Sequence, residues 1–453
     1  MPQNDTTFAD TAQAGYKWVS KLAVTVYDKP VKGKTAAHLF VGDWIREGAK
    51  QNGRTKIEFR GGEGYIDNNA IGKKRTLEVY FIDVGQGDAI LIETPENKRV
   101  LIDGGADKSA HSYLKWKYDF DTYYKVFDAV ILTHGDGDHS HGLIRILKDP
   151  GVVVKAVYHN GISKIGKYNL GKKIETSNGK LLVDLYDDIE DLTPKYGQLT
   201  KTYKDWHDVV KKLKRRASLH DESFVCKRVD HTTPDLMIGN LKIEFLNPVV
   251  INYNGSPALH WFSGADKTLN GNSVGLMLTY GSARILLCGD LNKEAEDIFL
   301  TTNQERNLNA HVFKANHHGS HKFTTRLLDT VNPWVSVVSS GDVPDYGHPR
   351  ANLLGSLGRY SYDKIQEPLL FSTELARTFK KIPESKLKEK NTQLYEIRSE
   401  GVITVRTNGN WLAAGRVYEK TEYDPNLKVK QSWKWEAYAW NLVDGAKLVY
   451  DLV

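Results

Sequence analysis

Cysteine is nearly absent from this chain: Cys226 and Cys288 are the only two in 453 residues, and they lie far apart. No disulfide framework and no CxxC pair can be drawn from them. The chain therefore fits a reducing compartment, and any metal site must use histidines and carboxylates. Long apolar runs are missing too, which excludes a bilayer-spanning helix. The first fifteen residues, MPQNDTTFADTAQAG, lack the charged start and apolar stretch of a secretory signal. They read as a disordered lead (1–15), with a cytoplasmic location as the expectation and no membrane partner. Charge of one sign is not in large excess either. A net charge of +6 permits a nucleic-acid partner without requiring one.

What is present reads as a strand-rich globular protein. Tyr and Trp, at 23 and 10 residues, are enriched in the way strands favour, and the length calls for more than one domain. Residues 16–70 alternate apolar and polar side chains between Gly and Pro breaks, as in AVTVYDKP, HLFVGDWIREG and TKIEFRGG. The order of VxVYDxP, VGDWI and Gly64-Tyr65-Ile66 resembles the bacterial Src-homology-3-like barrels. A small β-barrel of that kind and a β-extension packed on the main domain both remain open. After a polar linker, strands are expected at 77–84, 89–94 and over RVLIDGG and DAVILTH, several of them apolar on both faces as in a buried sheet.

Residues 160–235 are rich in Lys and Asp and read as an insertion. Within it Trp206, Val209, Val210 and Leu213 recur at helical spacing over 205–218, opposite Lys211, Lys212, Lys214, Arg215 and Arg216. That basic face reads as solvated surface first and a nucleic-acid contact second. Strands resume at 241–248, 273–280 and 283–290, with a helix over 292–300. LYEIRSEGVITVRTNG suggests a closing hairpin. The last stretch, 411–453, carries Trp433, Trp435, Tyr438 and Trp440, and reads as a strand covering the sheet or as a partner surface.

The densest chemistry lies in Thr133-His-Gly-Asp-Gly-Asp-His-Ser-His-Gly142. His134, Asp136, Asp138, His139 and His141 fall within ten residues directly after an apolar strand. Gly135 and Gly137 suggest a tight turn of unusual φ that lets alternate side chains converge. So many ionisable groups in one place call for a divalent cation among them.

The motifs around that cluster carry a resemblance. FIDVGQGDAILI, VLIDGG, LTHGDGDHSHG, NGNSVGLML, ILLCGDL, HHGSH and YGHPR, in this order over about residues 77 to 407, resemble the β-lactamase-like domain of ComEC-type DNA-uptake proteins, a metallo-β-lactamase fold. The membrane channel of that family does not carry over, because no transmembrane run exists here. The resemblance implies an α/β protein with four αββα layers over 77–410, preceded by the small barrel. It implies metal ligation by His134 and Asp136, then by Asp138 and His139, with Asp290 bridging. His318 or His317 would complete the set, His318 being favoured because Gly follows it.

The fold's further His ligand, normally placed before the bridging Asp, is replaced here by Asn272 and Ser273. These, with Ser320 and Lys322, are candidate substrate contacts. The oxygen-rich ligand set favours Mn2+, with Zn2+ possible, as one or two ions. Asp83, Asp103 and His141 read as braces behind the ligands. Gly85-Gln86-Gly87-Asp88 lacks the Lys of a phosphate loop and reads as a structural turn.

The implied reaction is hydrolysis of a phosphodiester, single-stranded DNA first, by a metal-activated water. Asp138 would orient or deprotonate that water, and His348 would contact the phosphate or protonate the leaving oxygen. Two alternatives stand beside it: hydrolysis of a small ester, lactone or phosphoester, and a binding or scaffold protein with a spent metal site. A protein partner could dock on the N-terminal barrel or the aromatic tail. Cys288 reads as core, and His38, His111, His159, His207, His220, His231, His260 and His311 as surface or packing residues.

Overall fold

A computed structural model describes the chain apart from residues 1, 2, 5–15, 60, 61, 178, 221, 342–346, 363–368, 374–377, 382–394, 399, 400, 424–428, 444 and 450–453. Most of the expected lead, Tyr346 of the YGHPR motif, and the side chains of Trp433 and Trp435 fall outside the described residues.

Two sheets dominate. The first runs Val225–Arg228, Ala156–His159, Ala129–Leu132, Arg99–Ile102, Ile90–Glu93, Leu77–Phe81, Ile403–Thr407, Trp411–Tyr423, Val429–Asn441, Lys447–Val449. The second runs Leu236–Ile238, Leu241–Asn247, Gly275–Tyr280, Ala283–Leu287, Val312–Lys314, Val335–Val338, Leu369–Ser372. Because successive strand residues point to opposite faces, each strand feeds two cores. Val79, Phe81, Ile90, Ile92 and Ile131 meet Leu276, Leu278, Ile285, Leu287 and Val335 between the sheets. Tyr80, Leu91, Leu101 and Val130 instead pack outward beneath the helices Ser109–Tyr118, Gly137–Lys148 and Lys201–Leu219. Met277, Leu286, Cys288 and Phe313 pack beneath Lys293–Thr302, Thr325–Val331 and Ala351–Arg359. The result is the four-layer αββα arrangement, with apolar runs where both sheet faces are covered.

The insertion's helix, Lys201–Leu219, buries Trp206, Val209, Val210 and Leu213 as its spacing implies. Its basic face is partly spent inside the protein. Arg216 Nη1 donates to the carbonyls of Leu147 (2.9 Å) and Val152 (3.3 Å), closing the C-terminal end of the Gly137–Lys148 helix.

Two expectations change. Tyr395–Arg398 and Ile403–Thr407 do not form one hairpin: the former pairs with Thr378–Lys381, while the latter inserts between Leu77–Phe81 and Trp411–Tyr423. The N-terminal strands form an open sheet in the order Thr35–Phe40, Ala23–Tyr27, Gly62–Asp67, Arg54–Phe59, Trp44–Gln51, Tyr16–Val19, Ile71–Gly72. It curls around Val24, Val26, Ile45, Ile57 and Ile66, but its two end strands share no ladder among the described residues, so the barrel is not closed. This module seats Phe40 and Val41 on Ala413, Ala437 and Ala439 of the first sheet.

Candidate metal centre

Loops at the ends of the sheet strands converge on one buried point. Strand Ala129–Leu132 ends in Thr133 and His134, and the helix starting at Gly137 places Asp138 and His139 in its first turn. A helix N-terminus favours carboxylate charge, so Asp138 is well placed there. Neither Gly135 nor Gly137 adopts a positive φ, contrary to the turn expected from the sequence. They are small for want of space: a Cβ on Gly135 would lie 2.0 Å from Tyr203 Oη, and one on Gly137 2.7 Å from the His141 ring.

His139 is held from behind. Its Nδ1 donates to Asp103 Oδ2 at 2.8 Å, and Asp103 also accepts from the Thr133 backbone N–H at 2.8 Å. His318 is held the same way, Nδ1 donating to Ser339 O at 3.0 Å. With both Nδ1 atoms donating outward, each ring turns its Nε2 inward. The two Nε2 atoms lie 3.2 Å apart. Asp290 lies 3.4 Å from the first and 3.2 Å from the second, and Asp138 Oδ2 lies 3.3 Å from His318 Nε2.

His134 follows the same logic by bookkeeping of hydroxyl protons. Thr133 Oγ1 donates to Asp103 Oδ2 and Ser273 Oγ to Asn270 O. His134 Nδ1, 3.2 Å from each hydroxyl, must therefore be the donor. Its buried Nε2 is left as a lone pair with no hydrogen-bond partner among the described residues. Asp136 Oδ2 lies 3.8 Å from it.

The HHG turn places its two histidines differently. His317 and His318 are both left-handed, at φ 49 and 52, a strain of about 1–3 kcal/mol each for non-glycine residues. That backbone sends His318 into the centre, fully buried. His317 stays at the rim with a quarter of its side chain exposed, 4.0 Å from Asp290 Oδ2.

Two members were not foreseen. The Gly85–Asp88 turn is structural, with Asp83 Oδ1 accepting from Gly85 N–H at 3.0 Å, but it also delivers Asp88 to the centre. Gly87 lets it approach, since a Cβ there would lie 2.1 Å from Asp138 O. Asp88 forms a buried ion pair with Lys314, and its Oδ1 lies 3.6 Å from His318 Nδ1. Asp88, His139, Asp290 and His318 each offer a ligand atom within 4.8 Å of the others. Asp88, however, faces the far edge of the His318 ring and is already neutralised by Lys314, so it serves as a brace. Asp138 takes the position facing both Nε2 atoms. A charged lysine ending the apolar run Val312–Lys314 was the available signal.

Other expected residues lie elsewhere. His141 Nε2 is 3.1 Å from Thr202 Oγ1 on an exposed face, so the brace role falls to Asp103 and Thr133 instead. Asn272 spends its Nδ2 on the carbonyls of His260 (2.9 Å) and Thr268 (2.7 Å), which leaves no amide donor for a substrate. Ser273 accepts from Asp290 N–H at 3.2 Å and supports that carboxylate. Ser320 is buried and Lys322 exposed on the turn beyond His318. The His348 ring is 5.8 Å from that of His317.

The electrostatics ask for a cation. Asp88, Asp103, Asp138 and Asp290 crowd together with Lys314 as the buried ammonium among them. Burial opposes charge on His139 and His318, yet Asp290 with its neighbouring carboxylates raises both well above the ordinary histidine range. His134, facing burial and the His139 charge, is lowered to about 3. Burial pushes Asp136 up to about 6 in spite of Lys164. His134 Nε2 is buried with no hydrogen-bond partner among the described residues, Asp290 Oδ1 has only the contacts with His139 and Lys314, and a divalent ion fits this donor set.

Comparison with known proteins bears on this centre. Residues 82–338, more than half of the chain, match the family model described as the metallo-beta-lactamase superfamily. ComE operon protein 3 of Bacillus subtilis (strain 168) is 26% identical over 301 residues, 63% of this chain and 31% of that protein. The chain thus spans about a third of the length of this curated relative. Among solved structures, unliganded yeast PDE1 overlaps with a TM-score of 0.35 and 11% identity, covering 66% of this chain and 97% of that one. Zn(2+)-bound PqqB from Methylobacterium extorquens overlaps with a TM-score of 0.33 and 10% identity, over 61% and 84% respectively.

Proposed function

The chain belongs to the metallo-beta-lactamase superfamily, and from that premise we propose that it is a metal-dependent phosphodiesterase acting on DNA, single strands first. The observation that carries the reading is the convergence of the His139 and His318 Nε2 atoms, 3.2 Å apart, on the Asp138 and Asp290 carboxylates. The ordered motif resemblance to ComEC-type DNA-uptake proteins supports nucleic acid as the substrate. A donor set in which carboxylates equal imidazoles, two of each, supports Mn2+ ahead of Zn2+.

A divalent ion held by His139, His318, Asp138 and Asp290 would supply Lewis acidity toward a phosphoryl oxygen and a water of lowered pKa. The chain's own groups do the rest. Asp103 and Ser339 O fix the two ring orientations, so the ligand geometry is set before substrate arrives. Asp138 is the accessible carboxylate of the set, its side chain 28% exposed against 4% for Asp290. Its Oδ1 takes the proton of the attacking water. His348 stands at the rim beside His317, and burial lowers it to about 4, so it is neutral at pH 7. It acts as a hydrogen-bond donor to the leaving oxygen, a weaker role than that of an imidazolium acid.

The test is cleavage of labelled single-stranded DNA, duplex DNA, RNA and a chromogenic carboxylic ester with Mn2+, comparing wild type with Asp138→Ala. Wild type should cut single-stranded DNA, and the variant should lose at least ~100-fold in rate, the scale of a general-base contribution. Turnover of the ester alone, or equal rates for both proteins, would overturn the assignment.

A further inference from the structure

On the side of the centre containing His134 and Asp136, the Asp136 carboxylate is paired with a lysine. Lys164 Nζ lies 3.4 Å from Asp136 Oδ1 and 3.6 Å from Asp266 Oδ1, with only 19% of its side chain exposed. The other carboxylate oxygen is engaged as well. The Asn270 amide, with its nitrogen facing Asp136, donates to Oδ2 at 3.0 Å. Lys164 is not a loose surface residue. Its carbonyl accepts from Thr200 N–H at 2.9 Å, and the turn beyond it is closed by Ile165 N–H on Asn169 O at 2.9 Å. It belongs to the 160–235 segment, whose helix also lays Tyr203 against Gly135 in the metal loop.

The two halves of the centre are therefore unequal. One offers two imidazoles and two carboxylates with no ammonium on Asp138. The other offers the His134 Nε2 lone pair and a carboxylate already paired with a cation. Ser273, in the segment that the resemblance aligns with the fold's further imidazole, brings none. Its Oγ is spent on Asn270 O at 2.8 Å and on the Asp290 N–H at 3.2 Å.

We propose that Lys164 is a built-in competitor for the second ion: its ammonium holds Asp136, so the centre keeps one divalent ion tightly and a second only weakly. An ion entering beside His134 must displace that ammonium or share Asp136 with it, and like charges so close weaken its hold. The 160–235 segment thereby sets the metal occupancy of the site it flanks. This inference rests on the metal-dependent reading above, but not on the identity of the substrate.

The experiment is a calorimetric titration of the metal-stripped full chain with Mn2+, with ion content checked by elemental analysis. Wild type, Lys164→Gln and Lys164→Arg are compared, and circular dichroism confirms their folding. Wild type should show one tight ion and a second at least tenfold weaker. Lys164→Gln should tighten the second at least tenfold and leave the first unchanged, and Lys164→Arg should behave as wild type. Two ions of equal affinity in wild type, or an unchanged second affinity in Lys164→Gln, would overturn the inference alone. Absence of any bound ion would overturn it together with the hydrolase reading. The expected pattern without DNA cleavage would leave it standing and remove only the substrate.

Discussion

In the proposed centre, His139 is fit to be a ligand because of what Asp103 does at the opposite edge of its ring. Asp103 sits in the left-handed region at φ 56, where Asn is among the few residues that settle easily. Asp103→Asn therefore changes the charge behind His139 without disturbing the backbone. We expect it to weaken the tight Mn2+ site by about 10–100-fold, read by calorimetric titration, with the thermal midpoint nearly unchanged. Unaltered affinity would remove Asp103 from the ligand-orienting role. At this scale the sequence was readable where candidate ligands cluster, as in His134 to His139. It was not readable where the contact is long-range. Asp88 and Lys314 are 226 positions apart, and the glycines flanking Gln86 masked the carboxylate they deliver. His317 and His318 could not be separated because two successive left-handed residues, not side-chain chemistry, decide which one points inward.

Among the elements, helix Lys293–Thr302 ties the second sheet to the HHG turn through a buried acid. Glu296 accepts from Asn316 Nδ2 at 2.9 Å and from Thr324 N–H at 2.6 Å, yet burial outweighs these bonds and raises its pKa to about 7. A raised carboxylate binds its proton more tightly in the folded state. Its stabilising effect is therefore complete below the unfolded value of 4.5 and is lost as pH climbs through about 7. The full difference is about 3 kcal/mol. Urea denaturation of wild type and Glu296→Gln from pH 4.5 to 8 should show the wild type losing stability over that window and the variant much less. Parallel curves would exclude Glu296 as the source. Element types followed from periodicity, so the amphipathic Lys201–Leu219 helix and the doubly buried strands were legible. Arg216 was not, since a basic helix face does not disclose that one of its members caps a neighbouring helix.

Taken whole, the molecule is an αββα sandwich carrying an open N-terminal sheet on its first large sheet. The layer order was implied by the motif resemblance, and the apolar strands showed only that their sheets are covered on both faces. The pairing of 395–407 was not legible, because two adjacent strand-like runs say nothing about which partners are nearer in space. The N-terminal sheet is fastened by Arg406 of strand Ile403–Thr407. Its guanidinium pairs with Asp43 at 2.8 Å and donates to Val41 O at 2.5 Å. Arg406→Met leaves these acceptors unmatched and should cost about 3 kcal/mol. Limited proteolysis should then cut earlier at the junction with the N-terminal module, whereas wild-type kinetics there would mean that Phe40 and Val41 suffice.

The central claim is that this centre hydrolyses DNA phosphodiesters through a bound divalent ion. Its most direct test is the rate of single-stranded DNA cleavage before and after EDTA stripping, and again after Mn2+ is returned. The account predicts loss of cleavage on stripping and recovery with Mn2+. Cleavage that survives stripping, or that Mn2+ cannot restore, would contradict it.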